Sequence, residues 1–92
     1  MIIRWAEAAR GDLDRLYDFL ARHDGRLAAQ MMDALVAAPE ALLHFPRRGS
    51  RLSEFNTREV REYRIKNYLL RYELTEANIS VLRVLHARED RF

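Results

Sequence analysis

The chain of 92 residues contains no cysteine, three glycines and two prolines. Without cysteine there are no disulfides and no thiolate metal sites, which suits a cytoplasmic protein. Gly11, Gly25 and Gly49 are too scattered to form a glycine-rich phosphate loop. No stretch approaches the roughly 18 to 20 apolar residues of a membrane span. The opening residues, MIIRWAEAARGD, lack the apolar run and small-residue cleavage site of a signal peptide, so secretion is not indicated. His23, His44 and His86 are far apart and none shows i, i+4 spacing, so no metal site and no cofactor is expected. Ser50, Ser53 and Ser80 lack the context of a nucleophile elbow.

About half of the residues are hydrophobic (49%), enough for one small core and therefore one domain, residues 1–92. The net charge of +2 is unevenly spread. Residues 1–46 carry five basic and seven acidic side chains, while residues 47–72 carry eight basic ones against Glu54, Glu59 and Glu62. A central segment about five charges positive could face nucleic acid or an acidic protein, or it could be an ordinary solvated face.

The most ordered pattern lies between Thr57 and Arg88. Tyr68, Leu70, Tyr72 and Leu74 alternate with Leu69, Arg71 and Glu73, the period of a half-buried strand. Lys66-Asn67 separates this strand from one before it, and Glu76-Ala77-Asn78 from one after it. Connections this short allow only antiparallel neighbours, so the C-terminal third is a three-stranded meander. In its last strand Ile79, Val81 and Leu85 occupy one parity, Leu82 and Val84 the other. Apolar residues on both faces imply cover on both, or a face awaiting a partner.

Upstream, Met1–Trp5 reads as a short strand expected to join the same sheet. Ala9, Leu13, Leu16 and Leu20, with Tyr17 beside them, make one apolar helical face, and Asp12, Asp14, Arg15, Asp18 and Arg22 take the remaining positions. Asp24-Gly25 marks a break, with Asp24 as the cap of a second helix. That helix carries a stripe of Leu27, Met31, Ala34 or Leu35, and Ala38, continued by Leu42 and Phe45. Pro39 predicts a kink or the start of a new short helix. Helices joined by two or three residues form an antiparallel hairpin, here spanning 8–45. Pro46-Arg47-Arg48-Gly49 ends the helical region, and Ser50 to Asn56 reads as a polar loop. The expected class is α+β, an antiparallel sheet in the order β-α-α-β-β-β packed against a helical hairpin.

Four arginines, Arg64, Arg71, Arg83 and Arg88, sit on or next to expected strands. They could hold phosphates bidentately, or they could pair with Glu59, Glu62 and Glu73 across neighbouring strands. His23 and His44 read as surface residues and His86 as a partly buried structural histidine.

This order of elements, with AARGDLDRLYDFL at 8–20, Phe45-Pro46-Arg47-Arg48-Gly49, Val60-Arg61-Glu62-Tyr63, Tyr68-Leu69-Leu70-Arg71-Tyr72 and ISVLRVLHAR at 79–88, resembles the RelE/ParE toxins of bacterial type II toxin–antitoxin pairs. The resemblance spans nearly the whole chain. It implies one of two activities. RelE-like members cut mRNA on the ribosome without metal, using an arginine after the middle-strand tyrosine, another past the final strand, and a C-terminal tyrosine or histidine. Arg88 matches the second of these positions, Leu69 stands at the first, and the chain closes Arg91-Phe92. His86 beside Arg88 is the nuclease alternative. ParE-like members lack that set and poison DNA gyrase by protein contact, and the Val-Leu-His ending is closer to theirs. The resemblance therefore implies a ParE-like growth inhibitor with two protein partners, DNA gyrase and a cognate antitoxin. The alternatives are an endoribonuclease with ribosome and mRNA as partners, or a non-toxic binding module of the same fold. An antitoxin tail could lay an amphipathic helix on the hairpin or add a strand. Leu16, Tyr17 and Leu20 are the groove candidates; Arg61, Arg64, Arg71 and Arg83 are the basic-surface candidates.

Overall fold

A computed structural model describes residues 1–88. The elements are β1 (Ile2–Trp5), α1 (Glu7–Ala21), α2 (Gly25–His44), β2 (Ser50–Arg51), β3 (Val60–Ile65), β4 (Tyr68–Leu74) and β5 (Asn78–His86). One five-stranded sheet runs in the order β1-β5-β4-β3-β2, with the helical hairpin packed against it. Among the described residues, no helix is long and apolar enough to cross a membrane.

The meander is present as expected. Lys66 takes up a left-handed backbone (φ 55°) at the β3–β4 turn, and the Thr75 hydroxyl accepts the Asn78 N–H at 3.0 Å to close the β4–β5 turn. Two sheet features differ from the sequence reading. β1 does join, but parallel to β5, so the sheet is mixed rather than antiparallel. The long path through both helices and three strands is what makes a parallel return possible. Ser50–Arg51, read as loop, forms a two-residue edge strand on β3.

The double apolar parity of β5 has a local cause. Tyr72 pairs with Val81, but Arg71 pairs with Arg83, so Leu82 is an extra residue and the strand bulges there. A bulge inverts the parity of everything beyond it. Ile79 and Val81 before it, and Val84 after it, all reach the same core beside Tyr68, Leu70, Tyr72 and Leu74.

In α1, Ala9 and Leu16 are buried, and Leu13 and Leu20 pack against the core. The α2 stripe is Ala28, Met31, Leu35, Pro39 and Leu42, a regular three- and four-residue spacing. Leu27 and Phe45, counted into that stripe from the sequence, are exposed. The Asp24 carboxylate caps α2 by accepting the N–H groups of Arg26 and Leu27 at 3.0 and 3.1 Å. The helix continues through Pro39, whose ring is buried, and no separate short helix forms there.

Asp12, assigned to the solvated face, is buried instead. β1 ends at Trp5, opposite Val81, so among the described residues the edge of β5 beyond that point has no strand partner. α1 supplies a substitute. Asp12 Oδ2 accepts the backbone N–H of Val84 at 2.9 Å, and the Arg83 guanidinium binds both carboxylate oxygens at 2.7 and 2.9 Å. Arg15 adds a longer ion pair at 3.6 Å. Burial alone would raise the Asp12 pKa, but the Arg83 and Val84 hydrogen bonds and the arginine charges outweigh it and hold the carboxyl below its ordinary value.

A depressed folded-state pKa contributes stability that is fully present above the unfolded value of about 3.9 and is lost as pH falls through the folded one. Asp12→Ala, which strands a buried N–H, is expected to cost about 1–3 kcal/mol at neutral pH. Asp12→Asn keeps an acceptor for Val84 and is expected to cost less. Urea unfolding between pH 7 and pH 3 checks both, and the gap between wild type and Asp12→Asn should narrow toward the acid end.

Candidate functional site

Tyr72 occupies the centre of β4, an inward position in an otherwise apolar row, and its side chain is fully buried. A buried hydroxyl requires partners. Tyr72 Oη donates to the Pro46 carbonyl at 2.6 Å and accepts the Gly49 N–H at 3.1 Å. Burial pushes the phenol above its ordinary pKa, which keeps the proton that makes the first bond. Its neighbour across the β3–β4 ladder is Arg61, which donates to the carbonyls of Gly49 (2.7 Å) and Arg47 (3.2 Å) and to Glu59 (2.7 Å). Glu59 also accepts from Arg47 at 3.0 Å, and these two arginines, Arg61 foremost, hold its carboxyl below the ordinary range. Two side chains thus fasten the backbone of residues 46–49 to the sheet by four hydrogen bonds.

Gly49 is required by space rather than by backbone angle, since no glycine has a positive φ. A Cβ there would stand 2.7 Å from the Glu62 carbonyl oxygen and 2.9 Å from the Tyr72 ring. The outward side of the same loop is open. His44, Phe45, Pro46, Arg47 and Arg48 line a cleft of about 640 Å³. Phe45 is 66% exposed, and Arg48 lies over the Tyr63 ring at 5.4 Å.

The residues singled out from sequence fall into separate places. Leu16 lies in the chain's own core, Leu20 is half-buried against it, and Tyr17 is exposed. Of the basic-surface set, Arg61 is committed to the loop, Arg71 donates to Glu62 at 2.9 Å, and Arg83 binds Asp12. Cross-strand pairing therefore accounts for Arg71, as Glu73 does for Arg58, with bonds at 2.8 and 2.9 Å that lower the Glu73 pKa and raise that of Arg58. Arg64 remains exposed and donates to the Lys66 carbonyl at 2.9 Å. His86 is half-buried, edge-on to Tyr68 at 5.4 Å between ring centroids, and its Nδ1 accepts the Arg88 N–H at 3.1 Å. Arg88 itself is exposed, as are His23 and His44. Among the described residues, no three His, Cys, Asp or Glu side chains group to hold a metal.

The Tyr72–Arg61 clamp was not singled out from sequence. The available signal was a tyrosine where the alternation calls for a purely apolar side chain, together with a glycine directly after Pro-Arg-Arg. The close approach at Gly49 leaves no room for a Cβ, so Gly49→Ala should cost about 1–3 kcal/mol. Gly11, inside α1 with nothing within 4 Å of a Cβ, supplies the contrast. Gly11→Ala should stabilise by up to about 1 kcal/mol through helix propensity. Denaturant midpoints of the two variants, moving in opposite directions, are the check.

Residues 3–91 match the family model described as "ParE toxin of type II toxin-antitoxin system, parDE". The chain is 33% identical over 84 residues to a protein of Caulobacter vibrioides named Toxin RelE1, an alignment covering 90% of this chain and 89% of that relative. Its fold is similar to a solved chain titled "Chromosomal ParDE TA system from P. aeruginosa", with a TM-score of 0.78 at 23% identity, covering 94% of this chain and 95% of that one. The sheet with its helical hairpin and the match over nearly the full length agree, and the chain belongs to the ParE toxin family of type II toxin–antitoxin systems.

Proposed function

We propose that this toxin acts as ParE-like proteins do, by gripping DNA gyrase through protein–protein contact in the cytoplasm, and that a cognate antitoxin neutralises it. The observation that carries this reading is the state of the arginines. A nuclease needs several cations free to converge on a phosphate. Arg61, Arg71 and Arg83 are each held by a carboxylate of the same chain. Leu69 occupies the middle-strand position at which RelE-like nucleases carry an arginine, and it has nothing to donate to a phosphate. The antitoxin is expected on the helical hairpin, where Tyr17, Leu27 and Val36 leave apolar surface exposed and Leu20 lies half-buried.

The second reading, mRNA cleavage on the ribosome, rests on His86 beside Arg88 and on the RelE-named relative. It needs His86 as a general base, a role typically worth about 10²- to 10⁴-fold. In the structure, the Nδ1 lone pair is occupied by the Arg88 N–H, which leaves only Nε2 for proton transfer.

The test is a gyrase supercoiling assay run beside a ribosome-dependent mRNA cleavage assay on purified toxin, with and without its antitoxin. Inhibited supercoiling and accumulated cleaved DNA, both reversed by antitoxin, are the expected result. Cleavage of mRNA that His86→Ala or Arg88→Ala abolishes in a folded protein would transfer the assignment to the nuclease.

A further inference from the structure

The clamped loop presents an unusual combination of rigidity and exposure. From beneath, Tyr72 and Arg61 fix the backbone of residues 46–49 with four hydrogen bonds. From above, Phe45 is 66% exposed at the end of α2, and none of the five residues lining the cleft is acidic. Glu59 neutralises Arg47, but Arg48 lies over the Tyr63 ring, and neither Arg48 nor Arg51 has a carboxylate partner among the described residues.

An exposed aromatic and an arginine on backbone that does not have to be ordered on binding are the ingredients of a protein-binding hot spot. The cost of immobilising the loop has already been met within the fold. We propose that the loop at residues 45–48 is the toxin's grip on its target protein, engaging a surface that offers an apolar socket for Phe45 and carboxylates for Arg48. This rests on the reading above that the target is reached by protein contact, and it places that contact past the end of α2, whereas the antitoxin is expected on the exposed faces of the two helices. Charge complementarity selects the partner, because the segment from residue 47 to 72 carries an excess of about five positive charges. A nucleic acid is disfavoured by the composition of the cleft. Phosphate tracking needs a row of uncommitted cations, and this lining offers one arginine without a carboxylate among the described residues, beside Phe45 and Pro46.

The test uses full-length toxin with Phe45→Ala, Arg48→Glu and Arg48→Lys. Thermal melting and antitoxin affinity should match wild type, since the altered side chains are exposed and lie off the surface expected to bind antitoxin. Affinity for purified gyrase should fall roughly tenfold or more for Phe45→Ala and Arg48→Glu, with Arg48→Lys retaining more than Arg48→Glu. Growth arrest on induction is read in parallel, because it reports the grip whatever the target is. If both disruptive variants bind gyrase and arrest growth like wild type, the inference fails and the gyrase reading stands. If wild type arrests growth without touching gyrase, the gyrase reading fails. The loop is then upheld by loss of toxicity in the variants, or refuted by its persistence. Loss of antitoxin affinity instead of toxicity would hand the loop to the antitoxin. Binding of a single-stranded RNA or duplex DNA oligonucleotide that Arg48→Glu abolishes would likewise overturn the protein assignment. A wild type that neither binds gyrase nor arrests growth would sink both readings.

Discussion

A hydroxyl placed in the middle of an apolar sheet face has to find partners, and at Tyr72 both partners belong to the chain segment that leaves the helical hairpin. This one requirement couples three parts of the protein. It fixes where the path from α2 meets the sheet, it brings Gly49 against β3 so closely that a Cβ would collide, and it gives Arg61 two carbonyls to bind. Glu59 then keeps that guanidinium paired and in turn holds Arg47. Removing the Tyr72 hydroxyl leaves the Gly49 N–H a buried polar group without its partner, typically a cost of about 1–3 kcal/mol.

The same logic operates on the other side of the molecule. β1 is too short to cover β5 along its length, and a bulge at Leu82 leaves the Val84 N–H facing α1. Asp12 takes that N–H and Arg83 together, so a helix side chain completes a sheet edge. Buried polar groups thus tie the helices and the loop to the sheet at two separated points. Apolar burial between them fills the core but does not by itself fix the register.

Much of the fold was legible because its signals are local. The alternation at 68–74, the Lys66-Asn67 turn, the Asp24 cap and the spacing in α1 each depend on residues close in sequence. What escaped depends on partners far apart. Asp12 looks like one more charged helix position until Val84, 72 residues away, is beside it. Apolar residues on both parities of β5 read as a strand covered on both faces because periodicity alone does not reveal a bulge. The parallel pairing of β1 also follows from tertiary arrangement, since a short apolar run has no intrinsic direction. Arg64, Arg71, Arg83 and Arg88 read from the sequence as either phosphate ligands or cross-strand partners; geometry pairs Arg71 with Glu62 across the strands, commits Arg83 to Asp12 on α1, and leaves Arg64 and Arg88 exposed. The exposure of His23 and His44 and the partial burial of His86 agree with the sequence reading. From the sequence the loop at 45–49 reads only as the end of the helices, because its significance lies in what holds it from beneath.

For a small toxin the consequence is a division of surfaces. The hairpin exposes Tyr17 and Val36 on its two helices, whereas the clamped loop exposes Phe45 and Arg48 on backbone secured from within. The account stands on the claim that the Tyr72 hydroxyl supplies that security. Tyr72→Phe removes the hydroxyl and keeps the ring, so amide hydrogen exchange at Gly49, measured beside target affinity in the folded variant, is the direct measurement. The account predicts that the Gly49 amide exchanges at least tenfold faster and that target affinity falls although Phe45 and Arg48 are intact. Unchanged exchange at Gly49, or unchanged affinity despite faster exchange, would contradict it.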